Sequence, residues 1–459
     1  MTRYRMALIG YAFAAIMLGT TLPTPMYSLY ADTMHFAVLT TTVIFATYAV
    51  GVLFALLVFG RWSDAVGRRP MLLAGAAAAI ASAVVFLIAH SVPELLAGRL
   101  LSGLSAGIFT GTATAAVIES APPAWRDRAP AVATVANMGG LGLGPLLAGV
   151  LVQYAPMPLQ LSFAVHIVLV LVAVVAIWLA GETAQPQGRI GFQRLSVPPQ
   201  TRSVFVVAAT AAFAGFAVMG LFTAVAPSFI ARVIGIDNHA AAGAIVASVF
   251  AASAVTQVVA RRAEPTRAVA IGCALLVVGM VILAAALHFS SLALLIAGAL
   301  VAGVGQGMSF GRGLAAVAER TPPDRRAEVS STYFVVAYIA ISLPVIGEGL
   351  AAQHWGLQTS GITFAIIVAI LAALCFVAVV FEERRPDGSE PVYPNRNLRQ
   401  RFGRLERLAD KIARAERERG LPQTRPPDPG FMAVCHGWAS GRDLGGLIEG
   451  EMSGGDFVR

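Results

Sequence analysis

Ala97-Gly-Arg-Leu-Leu-Ser-Gly-Leu-Ser-Ala-Gly-Ile-Phe-Thr-Gly-Thr-Ala-Thr-Ala-Ala-Val-Ile-Glu-Ser-Ala-Pro-Pro-Ala-Trp-Arg126 lies without a gap over Ala297–Arg326 when the chain is shifted by 200 residues. Thirteen of the thirty positions are identical: Ala97, Gly98, Leu100, Gly103, Gly107, Gly111, Ala115, Ala116, Val117, Glu119, Pro122, Pro123 and Arg126. A shared bias towards Ala and Gly supplies several matches by chance. It does not supply a Glu, a Pro-Pro and an Arg in register. Both copies are apolar over about 20 residues, the length a helix needs to cross a ~30 Å hydrocarbon core. The chain is therefore read as two six-helix halves, with the quoted stretches as helices four and ten. Parallel repeats with a central site between them are a transporter architecture.

Outwards from this pair, the same length rule gives twelve segments. The first six run over roughly 7–30, 39–60, 70–90, 93–118, 130–152 and 160–180. The second six run over roughly 203–231, 240–260, 268–288, 291–317, 328–352 and 359–381. Helices are required because the bilayer offers no water to backbone polar groups, and runs such as Leu72–Ile80 lack the alternation of a barrel strand. The domain plan is a first half over 1–182, a linker over 183–202, a second half over 203–381 and a polar tail over 382–459. Arg3 and Arg5 precede an apolar run that reaches Pro23 and Pro25 with no small-residue cleavage site, so this first segment is read as a retained helix.

Composition agrees: 57% of the 459 residues are hydrophobic and 13% charged, against about 45–50% and 25% in soluble domains. The net charge is +8, and the positive charge is almost all arginine, Lys411 being the only lysine. It falls in short clusters between apolar runs, which is a mark of membrane orientation rather than of nucleic-acid binding. One set of loops carries Arg61, Arg68, Arg69, Arg126, Arg128, Arg189, Arg194, Arg261, Arg262, Arg267, Arg320, Arg325 and Arg326. The opposite set carries Arg232 with Asp32, His90, Glu94, Asp237, His288 and His354. By the positive-inside rule both termini are expected in the cytoplasm, with an even number of crossings. Cys273, Cys375 and Cys435 have neither metal nor disulfide spacing. In the tail, Leu398, Phe402, Leu405, Leu408 and Ile412 fall at helical spacing; a helix on the inner leaflet, a solvated helix and disorder all fit.

Between helices two and three stands Gly60-Arg-Trp-Ser-Asp64-Ala-Val-Gly67-Arg68-Arg69-Pro70. Gly60 permits close helix approach and Gly67 a tight turn, while Asp64 and Arg68 offer opposite charges at a helix end. This loop resembles the signature Gly-x-x-x-Asp-x-x-Gly-Arg-Arg/Lys of the major facilitator superfamily at all five positions. The resemblance covers roughly residues 1–381 and implies a twelve-helix all-α membrane fold that works by alternating access. It implies that Asp64 meets the positive N-terminus of helix eleven and that Arg68 pairs with the carboxylate ending helix four, Glu119. Such contacts would hold the cytoplasmic side shut. The matching loop of the second half, Ala260–Arg267, has lost the pattern.

Two further elements resemble the family less completely. Arg99-Leu-Leu-Ser-Gly103 has Ser102 where the family has Gln, and in the family this arginine is tied to proton transfer; snorkelling to the interface is the alternative. Gly140-Leu-Gly-Leu-Gly144-Pro145-Leu-Leu-Ala148-Gly149 is similar to the antiporters' element in helix five, with Ala148 for one Gly, and is what favours export. Close helix packing alone would also explain its small residues.

Glu348, Arg312, Asp32 and His166 are the other ionisable groups in or near spans and join Arg99 as candidates for proton coupling. Tyr27, Tyr30, Asn137, Gln306, Tyr48, Tyr338 and Gln257 are candidates to line a cavity. No phosphate-cradling loop, zinc motif or catalytic carboxylate pair stands out, so the chain is not expected to be an enzyme or to need a cofactor. The expected activity is proton-coupled export of a small organic solute or drug by a monomer in a bacterial cytoplasmic membrane. Uptake symport and a non-transporting sensor or scaffold remain open alternatives. The expected partners are solute, proton and lipid bilayer, without nucleic acid.

Overall fold

The computed structural model describes residues 2–185 and 190–384. The chain divides into a unit Met1–Glu383 and a unit Arg384–Arg459. The helical pattern at Leu398–Ile412 lies outside the described residues. Among the described residues twelve helices are long and apolar enough to span a membrane, and there is no strand. Counting their end turns, they are α1 (Tyr4–Met34), α2 (Val38–Phe59), α3 (Arg68–Leu87), α4 (Val92–Glu119), α5 (Pro123–Tyr154) and α6 (Leu161–Ala180). The second set is α7 (Pro199–Ala224), α8 (His239–Arg262), α9 (Pro265–His288), α10 (Leu292–Glu319), α11 (Pro323–Trp355) and α12 (Leu357–Phe381). The protein is thus a multi-pass membrane protein, with segments close to those expected from the sequence.

The first span of each set departs from a continuous rod. Helix α1 stops at Thr21 and passes through a 3-10 turn at Thr24–Met26 before resuming at Tyr27. Helix α7 ends at Ala224, short of the expected 231, and is followed by Ala226–Phe229 and a π turn at Ile230–Ile234. The cause is the same in both: Pro23, Pro25 and Pro227 lack an N–H and crowd the preceding turn.

Packing repeats as the sequence does. Helix α2 lies against α11, and α5 against α8, two pairings that exchange when one six-helix set is laid on the other. The outward faces are apolar at helical spacing. Val168, Leu171, Val172, Val175 and Leu179 are exposed along α6, and Ile366, Ile367, Ile370, Leu374 and Val377 along α12. These residues would be exposed to water in a soluble protein; in a bilayer they meet lipid.

Candidate functional site

At the arginine-rich end, Gly67 has φ 111°, a conformation that side chains disfavour. It turns the chain so that α3 begins at Arg68. The amides of Arg68 and Arg69 donate to Glu182 Oε1 and Oε2 at 2.9 and 3.1 Å, so a carboxylate from beyond α6 caps α3. The Arg68 side chain reaches Glu119 from Nη2 at 2.8 Å, Asp64 from Nη1 at 2.7 Å and the hydroxyl of Ser63 at 2.7 Å. Arg69 lies over the ring of Trp178 at 4.7 Å. Arg68 and Glu119 both belong to the first six-helix set, so their pair fixes α3 to α4 within it. Asp64 meets Arg68 here rather than the start of α11.

The space beside α11 at this end is bridged by the linker instead. The amide of Gln193 donates to the Leu57 carbonyl of α2 at 2.8 Å, and the amide of Ser196 donates to Thr332 Oγ1 of α11 at 3.1 Å. Arg325 adds a bond to the Ser196 hydroxyl at 2.7 Å. A methyl at Gly60 would come within 3.3 Å of Gln193. Residues 186–189 of the linker lie outside the described residues.

In the second set, Glu264 does the capping work of Glu182. Burial opposes ionisation of its carboxyl, but the amides of Arg267 and Thr266, at 2.6 and 2.9 Å, hold it below the ordinary carboxylate range. The same helix start is thus stabilised by a local residue where the first set uses a distant one.

The glycine-rich face of α5 joins three helices. A methyl at Gly140 would meet the Ala14 carbonyl of α1 at 2.5 Å, and one at Gly149 would meet the His239 carbonyl of α8 at 2.5 Å. Gly144 is in equally close contact with Leu18 and Thr21. Pro145 cannot donate to the carbonyl of Leu141 one turn earlier. Thr21 Oγ1 does so instead, at 2.7 Å. These contacts, with the His239 amide on Gln153 Oε1 at 2.9 Å and Gly349 against Thr42, close the end opposite the arginines. At the arginine-rich end α1, α5 and α8 part around a groove bordered by Ala14, Val132, Gly139, Val259 and Arg262, with about 840 Å³ of room clear of its walls.

Between the two sets, near mid-span, lies a cavity of about 680 Å³ counting its open mouth, with about 50 Å³ of room clear of every wall. Asn137, Gln306, Tyr48 and Tyr338 line it with Thr20, Thr110 and a ring of Phe residues. Tyr338 of α11 meets the first set directly, its ring 6.3 Å from that of Tyr48 and its hydroxyl 3.5 Å from Thr110. Gln257 stands behind Gln306, to which it is joined through Ser253. The aromatic ring of the cavity, Phe45, Phe216, Phe250, Phe310 and Phe334, was beyond sequence reasoning, since aromatic residues in an apolar span carry no mark of which way they face.

The ionisable candidates are spread out. Arg99 is fully buried rather than snorkelling, with Nε on the Tyr27 hydroxyl at 2.7 Å and Nη1 on the Thr20 carbonyl at 2.5 Å. Tyr27 is thus engaged with Arg99, while Tyr30 borders a separate pocket with Thr33 and His90. Glu348 is buried between α11 and α12 and accepts from Ser360 at 2.8 Å. Arg312 donates to the Arg261 carbonyl at 2.7 Å, His166 reaches the Ala15 carbonyl at 3.2 Å, and Asp32 is exposed at the other end.

The family model described as Major Facilitator Superfamily matches residues 8–343. A second, the DSHCT (NUC185) domain, matches residues 359–459, most of them outside the described residues. The Multidrug transporter MdfA of Yersinia pestis bv. Antiqua (strain Angola) is 31% identical over 196 residues, 41% of this chain and 46% of that protein. The chain therefore spans under half the length of that relative. Major facilitator superfamily domain-containing protein 10 of Bos taurus is 33% identical over 150 residues, 31% of this chain and 33% of that protein. Among solved structures, a bacterial homologue of the human lysosomal transporter Spinster, inward-facing and unoccupied, aligns with TM-score 0.67 at 15% identity, covering 84% of this chain and 99% of that one. A D-xylose-proton symporter aligns with TM-score 0.67 at 14% identity, covering 82% and 96%. At these identities the structures carry the fold alone.

Proposed function

Because this chain belongs to the Major Facilitator Superfamily, we propose that it is a proton-coupled exporter that moves a small organic solute out of the cytoplasm by alternating access. The observation that carries the reading is the mid-span cavity between two six-helix sets, with the sets in close contact at one end and parted around a groove at the other. The arginine-rich end is the cytoplasmic one by the positive-inside rule, which puts both termini inside and the groove towards the cell interior. The setting is a bacterial cytoplasmic membrane, and one chain holds the whole cavity, so it acts as a monomer.

Export is favoured over uptake by the α5 element, whose Gly140, Gly144 and Gly149 set how closely α5 meets α1 and α8. The partial likeness to a multidrug transporter points the same way. Glu348 is the proton carrier. It sits on α11, ten residues beyond Tyr338, so a change at its carboxyl can be passed along the helix to the cavity wall. Arg99 holds the bend of α1 from behind the cavity. Asp64 and Arg68, with Glu119, brace the start of α3 against the end of α4, so that the first set moves as one body at the cytoplasmic end. A proton entering down ~150 mV supplies ~3.5 kcal/mol, and a pH unit adds ~1.4 kcal/mol. Together these sustain a gradient of roughly a thousandfold for a neutral solute.

The test is a growth-inhibition panel in an efflux-deficient bacterium expressing the chain or Asp64→Asn, with diverse toxic compounds outside. Protection by the intact chain that a protonophore abolishes supports the proposal. Equal inhibition in both strains, with the protein present in the membrane, counts against it.

A further inference from the structure

Gln306 is 1% exposed and lines the central cavity, and its Nε2 is buried with no hydrogen-bond partner. A buried amide nitrogen without an acceptor is costly, and each such group in a folded protein calls for an explanation. The side chain is held firmly. Its Oε1 accepts from the Ser253 hydroxyl at 2.5 Å, and Ser253 in turn accepts from Gln257 Nε2 at 3.0 Å. A separation of 2.5 Å suits O–H···O and is too short for N–H···O, so the oxygen faces Ser253 and the nitrogen faces away. Behind the stem, Gly215 leaves the room it needs: a methyl there would lie 2.8 Å from Gln306 Cγ. The internal repeat places Ala106, fully buried, at the same register in the first set. Helix packing at this position therefore does not itself require an amide.

The rest of the wall narrows the chemistry. Its residues include Phe45, Phe216, Phe250, Phe310 and Phe334, and no Asp, Glu, Lys or Arg appears among the described lining residues. A cation entering would lose its water without gaining a carboxylate. It would also lie near Arg99, whose Nη1 donates to the carbonyl of Thr20, a lining residue. An anion would find no lining cation to pair with. Resting on the transporter reading above, we infer that the cavity takes a neutral aromatic solute bearing a carbonyl-type acceptor, which Gln306 Nε2 binds while the Phe and Tyr rings sandwich its apolar body.

Benzophenone is a suitable probe, because it has two rings and one carbonyl and photolabels nearby C–H groups, among them Met138 and Met219 of the wall. The full chain in detergent or nanodiscs is irradiated with benzophenone in the presence of fluorenone, of fluorene or of tetraphenylphosphonium. Saturable labelling of Met138 or Met219 is expected. Fluorenone should displace it, fluorene at least tenfold more weakly, and tetraphenylphosphonium not at all. Gln306→Leu should weaken labelling about tenfold. Equal competition by fluorene and fluorenone, displacement by tetraphenylphosphonium, unsaturable labelling, or full labelling of Gln306→Leu would overturn the inference. If that variant does not fold, competition on the unmodified chain still decides. Binding is read without any gradient, so absence of energised flux would sink the exporter reading separately.

Discussion

Arg68 and Glu119 meet as a two-point ion pair, Nη2 to Oε1 at 2.8 Å and Nε to Oε2 at 3.2 Å, at the corner where α3 begins and α4 ends. Glu119 also accepts from the Thr183 hydroxyl at 3.0 Å, so the same carboxylate secures the start of the linker. The pair is half-buried, and its coupling in a double-mutant cycle of Arg68→Ala and Glu119→Ala should be about 1 kcal/mol. Thermal unfolding of the four proteins in detergent measures it; additive effects would show that the pair is ornamental.

The bond from Thr21 to the Leu141 carbonyl exists because Pro145 leaves that carbonyl free. Thr21→Val should cost about 1–3 kcal/mol, the penalty of a buried unsatisfied acceptor. Pro145→Ala restores an N–H to that carbonyl and should recover part of the loss in the Thr21→Val background. Melting temperatures of the two single variants and the double variant check this.

Glu348→Gln keeps an acceptor for Ser360 but cannot carry a proton. On the proposed coupling it should abolish concentrative efflux while leaving benzophenone labelling within about twofold, since the cavity lies elsewhere. Loss of both activities together would assign Glu348 a structural role.

The linker bonds from Ser196 to Thr332 and Arg325 should break when α11 swings. Cysteines at Ser196 and Thr332, once oxidised, should stop transport, and a reductant should restore it. Unimpaired transport by the cross-linked protein would remove the linker from the moving parts.

Glu264 offers a pH test away from the membrane interior. Its carboxyl titrates below its ordinary value of 4.5 in the folded chain. Its contribution is therefore complete above that value and is lost as pH falls through the lower folded one. The melting-temperature gap between the native chain and Glu264→Gln should be full at pH 7 and should narrow progressively as the pH is taken below 4.5.

Much of the fold was legible because apolar length and the 200-residue repeat fix spans without reference to packing. The twelve helices follow from it. Pro23 and Pro25 mark the break in α1, whereas at Pro227 the apolar run continues and hides the break in α7. The site was less readable. The residue type of Tyr27 gives no sign that it turns to Arg99, nor does that of Gln306 that it turns inwards, since both directions are buried among helices. Glu182 was missed for a related reason: it caps α3 from more than a hundred residues away, and no local pattern announces a distant cap.

Alternating access around the central cavity is tested most directly by paired distances. Spin labels at Val132 and Val259 span the groove, and labels at Tyr154 and Asp237 report the closed end. Measured in nanodiscs across pH 5 to 8, the two distance distributions should shift in opposite senses, one pair closing as the other opens. Distances that stay fixed at both ends, or that widen together, would contradict the account.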